Sequence, residues 1–257
     1  MELDKIKSQF GKQAENYIKY RKPYPDNLYK LFFSLLPAGS KKILDIACGP
    51  GNSTERLLSE DSKVFGCDID PLMIEEARKQ TKSKNLNIEY SVSSAEKLPY
   101  EDNCFDAINV GTAFHWFANE QAIGEIKRVL KSGRMLFVFW TLTAKDERNE
   151  NEKVSKIFNS LNWPKIPQEL RNLEYISTFF KINGFQNVET KSIAVTHNAT
   201  VEERVGLEKT NAGYGLLSEE GKNKFLDDLT LVYKLDLADK EYFTINEELQ
   251  VVYGFKA

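Results

Sequence analysis

Lys41-Lys42-Ile43-Leu44-Asp45-Ile46-Ala47-Cys48-Gly49-Pro50-Gly51-Asn52-Ser53 is the stretch on which the reading of this chain turns. Ile43 to Ala47 is a short apolar run of the length expected for a strand buried on both faces. Two glycines separated by a proline then break it, and from Ser53 to Leu58 the pattern turns helical. A strand, a glycine turn and a helix start let main chain approach a ligand closely. Asp45 puts a negative charge at the mouth of that strand, which suits a cationic ligand better than a phosphate.

Outward from this stretch, strands and helices alternate. Lys63 to Asp68 reads as a second buried strand. Asp70-Pro71 reads as a helix start, with the aspartate as N-cap and proline at the first helical position. Asn87 to Val92 and Phe105 to Val110 read as strands three and four. Ile123, Ile126, Val129 and Leu130 share a helix face, with Gly133 as the expected C-cap, and Arg134 to Trp140 is strand five. This alternation predicts a parallel α/β sheet with right-handed crossovers.

The flanks differ. Ile6, Phe10, Ala14 and Tyr17, then Leu28 to Leu36, predict N-terminal helices interrupted at Tyr20-Arg21-Lys22-Pro23-Tyr24-Pro25, where two prolines forbid a continuous helix. Residues 146 to 183 read as helical, Phe185 to Thr196 as a long strand, two helical stretches follow around 200 to 235, and Tyr242 to Phe255 is a last strand. The expected organisation is one domain over 1–257: a helical lid over 1–37, a cofactor-binding core over 38–142, and an elaboration over 143–257 that completes the sheet and caps the substrate.

Composition excludes several classes. The 257 residues carry a net charge of −3, with 41% hydrophobic and 28% charged residues. That balance gives no electrostatic footprint for nucleic acid or an anionic membrane. No apolar run reaches the ~18 residues of a membrane span, and Met1 to Lys5 does not read as a signal peptide. Cys48, Cys67 and Cys104 lack metal-ligand spacing and are expected as buried free thiols, with no metal site, in a cytoplasmic protein. The expected oligomeric state is a monomer or homodimer.

Ligands of open α/β sheets bind beyond the carboxyl ends of the strands, where strand order reverses. The strand ends supply Asp45 to Gly51, Asp68, Ser94 to Glu96, and Gly111 to Trp116. A carboxylate at Asp68 can accept both hydroxyls of a ribose. A dinucleotide fingerprint would need G-x-G-x-x-G, but from Gly49 the third glycine position holds Thr54, and Asp45 would repel a pyrophosphate.

Four motifs together resemble those of the class I S-adenosylmethionine-dependent methyltransferases. They are Leu44 to Gly51, Gly66 to Pro71, Ala95 to Pro99 and Phe105 to Ile108. With Gly49-Pro50-Gly51-Asn52-Ser53-Thr54, Phe114 to Phe117 and the layout of the tail, the chain is most similar to the small-molecule branch (methyltransferase type 11 domain) that includes trans-aconitate methyltransferase. The resemblance implies a Rossmann-like sheet and S-adenosylmethionine as cofactor, leaving as S-adenosylhomocysteine. It implies methyl transfer to a small-molecule acceptor, a carboxylate or other metabolite oxygen. Residue by residue, Asp45, Ala47, Gly49 and Gly51 would hold the methionine part, Asp68 the ribose, and Ile69 the adenine face. Ser94, Ala95 and Glu96 would meet the adenine edge. Thr112 and His115 would lie near the methyl group, with His115 as a positioning residue or possible base, and Tyr20 and Arg21 would reach in from the lid. Tyr17, Trp116 and Arg171 are the acceptor-binding candidates. Three departures from the family pattern stand out: Ala47 at the first glycine, Ser94 where aspartate is commoner, and Arg21-Lys22-Pro23 for the usual arginine-proline pair. Alternatives of another class are a nucleic-acid or protein methyltransferase and a non-catalytic cofactor-binding protein. Against the first, Asn109-Val110-Gly111-Thr112 stands where base-methylating enzymes carry an Asn/Asp-Pro-Pro-aromatic element. His197 reads as structural, and Arg204 and Lys209 as solvated charges.

Overall fold

In the computed structural model, residues 10–39, 41–143, 152–160 and 172–257 are described. Seven strands form one sheet in the order β3-β2-β1-β4-β5-β7-β6. They are β1 Lys41–Ile46, β2 Ser62–Asp68, β3 Ile88–Val92, β4 Phe105–Gly111, β5 Leu130–Thr143, β6 Phe185–Ala199 and β7 Phe243–Lys256. β1 pairs in parallel with both β2 and β4, β2 with β3, and β4 with β5. The chain steps outward from β1 to β3, returns, and steps the other way through β4 and β5. Strand order therefore reverses between β1 and β4, as the sequence predicts for a Rossmann-like sheet.

The helices are α1 Ala14–Tyr20, α2 Asp26–Ser34, α3 Pro71–Ser83, α4 Glu120–Val129, α5 Glu152–Asn159, α6 Leu173–Ile182, α7 Val201–Glu208, α8 Ala212–Gly215 and α9 Glu219–Leu237. The start of α3 follows its sequence signal: Asp70 accepts the Leu72 N–H, and Pro71 takes the first turn, where its missing N–H costs nothing.

The described residues group into two compact units, and the division falls within β5, β6 and β7. One joins the chain up to Lys22 with Leu142–Lys165 and Ala194–Glu248; the other holds Pro23–Thr141, Ile166–Ile193 and Leu249–Ala257. The second unit contains the central strands. Ile43, Leu44, Val64, Ala107, Ile108, Val110 and Leu136 are fully buried there, which is why these strands read as continuous apolar runs. The first unit has its own core, in which Val154 and Phe158 of α5 pack with Val205 of α7 and Phe225, Leu229 and Tyr233 of α9. Thr200 and Glu203 close the start of α7 as a reciprocal capping box, each satisfying a main-chain donor.

Three expectations are corrected. The glycine turn leads into a four-residue 3-10 turn, Thr54–Leu57, and not an α-helix. The stretch before β2 is short, and the Ser53 and Thr54 hydroxyls are drawn inward to other partners, so a longer helix does not form. Gly133 is no helix cap: it lies inside β5 with φ +70°. There, two steps along β4 (Phe105 to Ala107) oppose five along β5 (Leu130 to Met135), so β5 bulges. The bulge brings Lys131 Nζ within 2.9 Å and Arg134 Nε within 3.5 Å of Asp106 Oδ1. Cys104 is only partly buried, unlike Cys48 and Cys67, because it precedes β4; all three thiols are free. Trp116 ends a 3-10 turn, Phe114–Trp116, and the next helix begins only at Glu120.

Ile6 and the helix expected from 146 to 151 and 161 to 171 fall outside the described residues. Among the described residues no helix is long and apolar enough to cross a membrane, and no cluster of His, Cys, Asp and Glu could hold a metal ion.

Candidate active site

The carboxyl end of β1 turns through an unusual backbone. Ala47, Gly49 and Gly51 have φ of +54°, +54° and +95°, a region open to glycine and costly for a residue with a Cβ. Glycine is required twice over at Gly51, where a Cβ would lie 2.9 Å from Tyr90 Oη. At Gly49 a Cβ would meet no atom within 4 Å, so the main chain there faces open space.

Asp45 sits beneath this loop, 1% exposed. Its Oδ2 accepts the Thr54 hydroxyl at 2.6 Å and its Oδ1 the Asn109 amide at 2.7 Å. Asn109 also donates to Ser53 Oγ at 3.1 Å, which accepts the Tyr29 hydroxyl at 3.2 Å. Burial pushes the Asp45 carboxyl up to about 7, with the Thr54 and Asn109 hydrogen bonds pulling the other way and the charge of Asp68 adding to the rise. The residue therefore anchors the loop from inside, and one side chain from β4 locks it.

Asp68 closes β2. Its Oδ2 accepts the Gly49 N–H and its Oδ1 the Asp70 N–H, both at 2.9 Å. Burial raises its pKa, opposed by those main-chain donors. The Ile69 N–H acts on the same carboxylate, so three main-chain donors brace Asp68, and of the four lone-pair sites of a carboxylate one is left for a ligand hydroxyl. Beside it Ile69 is 52% exposed, an apolar face next to an acid. The Ser93 N–H bonds the Asp68 carbonyl at 2.9 Å, which brings Ser94, Ala95 and Glu96 to the same strand end. Ala95 is buried, Ser94 is half-buried, and Glu96 accepts the Asn119 side chain at 3.1 Å.

The ends of β4 and β5 form a second feature, a small recess lined by Thr112 to His115, Val138 to Trp140, and Ile176 from α6. Thr112 has φ +57°, a strained conformation for a β-branched residue and one that collects at functional sites. Tyr24 meets it: the two hydroxyls are 3.1 Å apart, and the Tyr24 ring stands edge-on to Phe139 at 4.7 Å. His115 is buried, with its ring 4.9 Å from that of Trp116.

Asp45 to Gly51, Asp68 to Ile69, Ser94 to Glu96, and Thr112 with His115 thus share the carboxyl edge of one sheet in one unit. Trp116 is next to the recess but not among its lining residues. Tyr17, Tyr20 and Arg21 belong to the other unit. There Arg21 Nε donates to Thr210 Oγ1 at 2.9 Å, its guanidinium lies 5.1 Å from the Tyr17 ring, and the Tyr20 ring rests on Gly206 of α7. Lys22 pairs with Glu203. His197 lies 3.9 Å from Glu247, and Arg204 lies over the Tyr233 and Phe243 rings. Arg171 lies outside the described residues. The sequence reading missed Tyr24, Phe139 and Trp140; the position of Trp140 at the carboxyl end of a strand beside the switch point was the available signal.

The site fits a nucleoside bearing a cationic tail. Its loop carries open main chain and two carboxylates, where a phosphate site would gather donors and cations. A profile described as "Methyltransferase domain" matches residues 43–133. A methyltransferase-like protein of Schizosaccharomyces pombe, itself uncharacterised, is 31% identical over 193 residues, covering 75% of this chain and 72% of that one. A protein of Dictyostelium discoideum described as a methyltransferase is 25% identical over 259 residues, covering 98% and 96%. The solved structure of a protein from Anaeromyxobacter dehalogenans described as a type II methyltransferase superposes with a TM-score of 0.65 at 16% identity, over 92% of this chain and 97% of that one. The strand order, the loop and the relatives agree: this chain belongs to the class I S-adenosylmethionine-dependent methyltransferases.

Proposed function

We propose that this protein methylates a small-molecule acceptor held in the recess between the ends of β4 and β5. The observation that carries this reading is the division of the sheet edge. Carboxylates and open main chain lie at β1 and β2, while a narrow recess, walled by aromatic and aliphatic side chains with Thr112 and His115 among them, lies at β4 and β5. When bound, S-adenosylmethionine supplies an electrophilic methyl group on a sulfonium, a leaving group that needs no activation. Asp68 would take one ribose hydroxyl, Ile69 the adenine face, and Ala47 to Gly51 the methionine part. The protein's own work is then to place the acceptor and exclude water. Phe114, Val138, Phe139 and Ile176 supply that dry wall, and His115 positions an acceptor oxygen that has lost its proton to water before transfer.

Two narrower readings weigh unequally. A carboxylate acceptor, as in the branch that includes trans-aconitate methyltransferase, would need a cation to offset its desolvation. Among the described residues the recess lining holds no lysine or arginine, so such an acceptor would have to draw its cation from outside them, as from Arg171. A nucleic-acid substrate is disfavoured by the −3 net charge and by Asn109, whose side chain is buried against Asp45 and Ser53.

The test is transfer from methyl-labelled S-adenosylmethionine to a panel of phenols and small carboxylic acids, with peptide and nucleic-acid arms alongside. Label in small molecules alone is expected. Label only in peptide or nucleic acid, or none while cofactor binds, would overturn the proposal.

A further inference from the structure

Among the described residues β6 is an outer strand of the sheet, with β7 as its only neighbour. The other outer strand, β3, has five residues, whereas β6 has fifteen. An outer strand of that length presents a row of main-chain donors and acceptors that can pair with another strand. Among the described residues no main-chain group of 186–191 bonds outside the sheet. Glu189, Thr190 and Lys191 are all exposed, so the strand stands clear on both faces there. It contains no proline, and its only acidic and basic side chains are Glu189 and Lys191. Those two share a face, 3.3 Å apart and about half exposed. Glu189 is held in place by the Tyr253 hydroxyl of β7, which donates to it at 2.7 Å. Asn187, with φ +48°, breaks the extended run near its start, so the straight segment begins at Val188.

We propose that this edge pairs with the same edge of a second copy of the chain, antiparallel, about a two-fold axis at Thr190. A two-fold interface needs a patch that complements itself, and the residues around Thr190 do so. In that register Thr190 faces its own counterpart, Glu189 faces the second copy's Lys191, and Lys191 faces the second copy's Glu189. Threonine pairs and opposite charges directly across an antiparallel pair are favourable, and like charges there are unfavourable. The register is selected as well, because an axis at Glu189 or at Lys191 would set a charge against its own kind. A lysine on an outer strand ordinarily deters pairing; with Glu189 two residues before it, it deters other strands and accepts its own copy. Ile182, 75% exposed and just ahead of the strand, adds apolar surface at one end. The paired run is short, so the association is weak and concentration-dependent. The inference goes beyond methyl transfer and does not depend on the acceptor.

The experiment is sedimentation velocity on the full chain at rising concentration, for the parent, Glu189→Lys, Lys191→Glu and the variant carrying both exchanges, with folding checked by circular dichroism. The parent is expected to pass from monomer to dimer. Each single exchange sets like charges across the axis twice and should weaken association roughly tenfold or more. The double exchange restores opposite charges and should recover the dimer, and so should an equimolar mixture of the two single variants. In the parent, hydrogen exchange between residues 188 and 192 should slow as concentration rises, which judges the proposal even where a variant fails to fold. A parent that stays monomeric at every concentration would overturn it. So would a dimer indifferent to both single exchanges, or one that the mixture does not recover.

Discussion

Ala47→Gly should stabilise the protein, and Gly49→Ala should destabilise it by a similar amount. Both residues have φ +54°, so the conformational effect is nearly equal and opposite. A left-handed conformation costs a residue with a Cβ about 1–2 kcal/mol. Glycine offsets ~0.4–1 kcal/mol of that through the greater freedom of its unfolded chain. The net is about 0.5–1.5 kcal/mol in each direction, or roughly 1–6 °C in Tm for a chain of this size. Gly49 isolates the backbone effect, because an added Cβ meets nothing within 4 Å. Gly51→Ala is the contrast: φ +95° is compounded by an approach of 2.9 Å to Tyr90 Oη, itself 3.2 Å from the Thr81 hydroxyl, so its loss should be the largest of the three. Thermal unfolding and urea titration would read all three. A fall in Tm for Ala47→Gly, or no change for Gly49→Ala, would refute the reasoning.

Further expectations follow from the same edge of the sheet. Asp45, with its folded pKa raised from 3.8 to about 7, binds a proton in the folded state that the unfolded state has released. Its contribution to stability should therefore decline as pH rises from about 4 to 7, by at most ~1.4 kcal/mol per pH unit, and Asp45→Asn should flatten that slope in urea titrations across the window; an unaltered slope would count against the assignment. His115→Gln should keep kcat within about tenfold of the parent, because base catalysis is typically worth ~10²–10⁴-fold. A loss beyond a hundredfold would make it the base.

How much was legible in the sequence follows from where the determinants are local. The β1 run, the Asp70-Pro71 start of α3 and the acid at Asp68 are signals carried within a few residues, and the structure places each as expected. The 3-10 turn after Gly51 was not legible because Ser53 is held by Asn109, distant in sequence, while Thr54 turns in to Asp45. Gly133 followed a helix and looked like its cap; its bulge exists because β5 must register against β4 and bring Lys131 to Asp106. Trp140 read only as the end of strand five, since nothing in a sequence shows that an indole N–H lacks a partner. The division into two units was equally hidden, because each is assembled from three separate stretches.

The most direct test of the central claim is calorimetric titration of S-adenosylhomocysteine into the parent chain and into Asp68→Ala, with folding of the variant checked by circular dichroism. Asp68 braces Gly49 at 2.9 Å at the strand end, and losing charge-assisted hydrogen bonds costs about 1.5–3 kcal/mol. The account predicts binding at one site per chain, weakened roughly tenfold or more in the variant; equal affinity in a folded Asp68→Ala protein, or no binding by the parent, would contradict it.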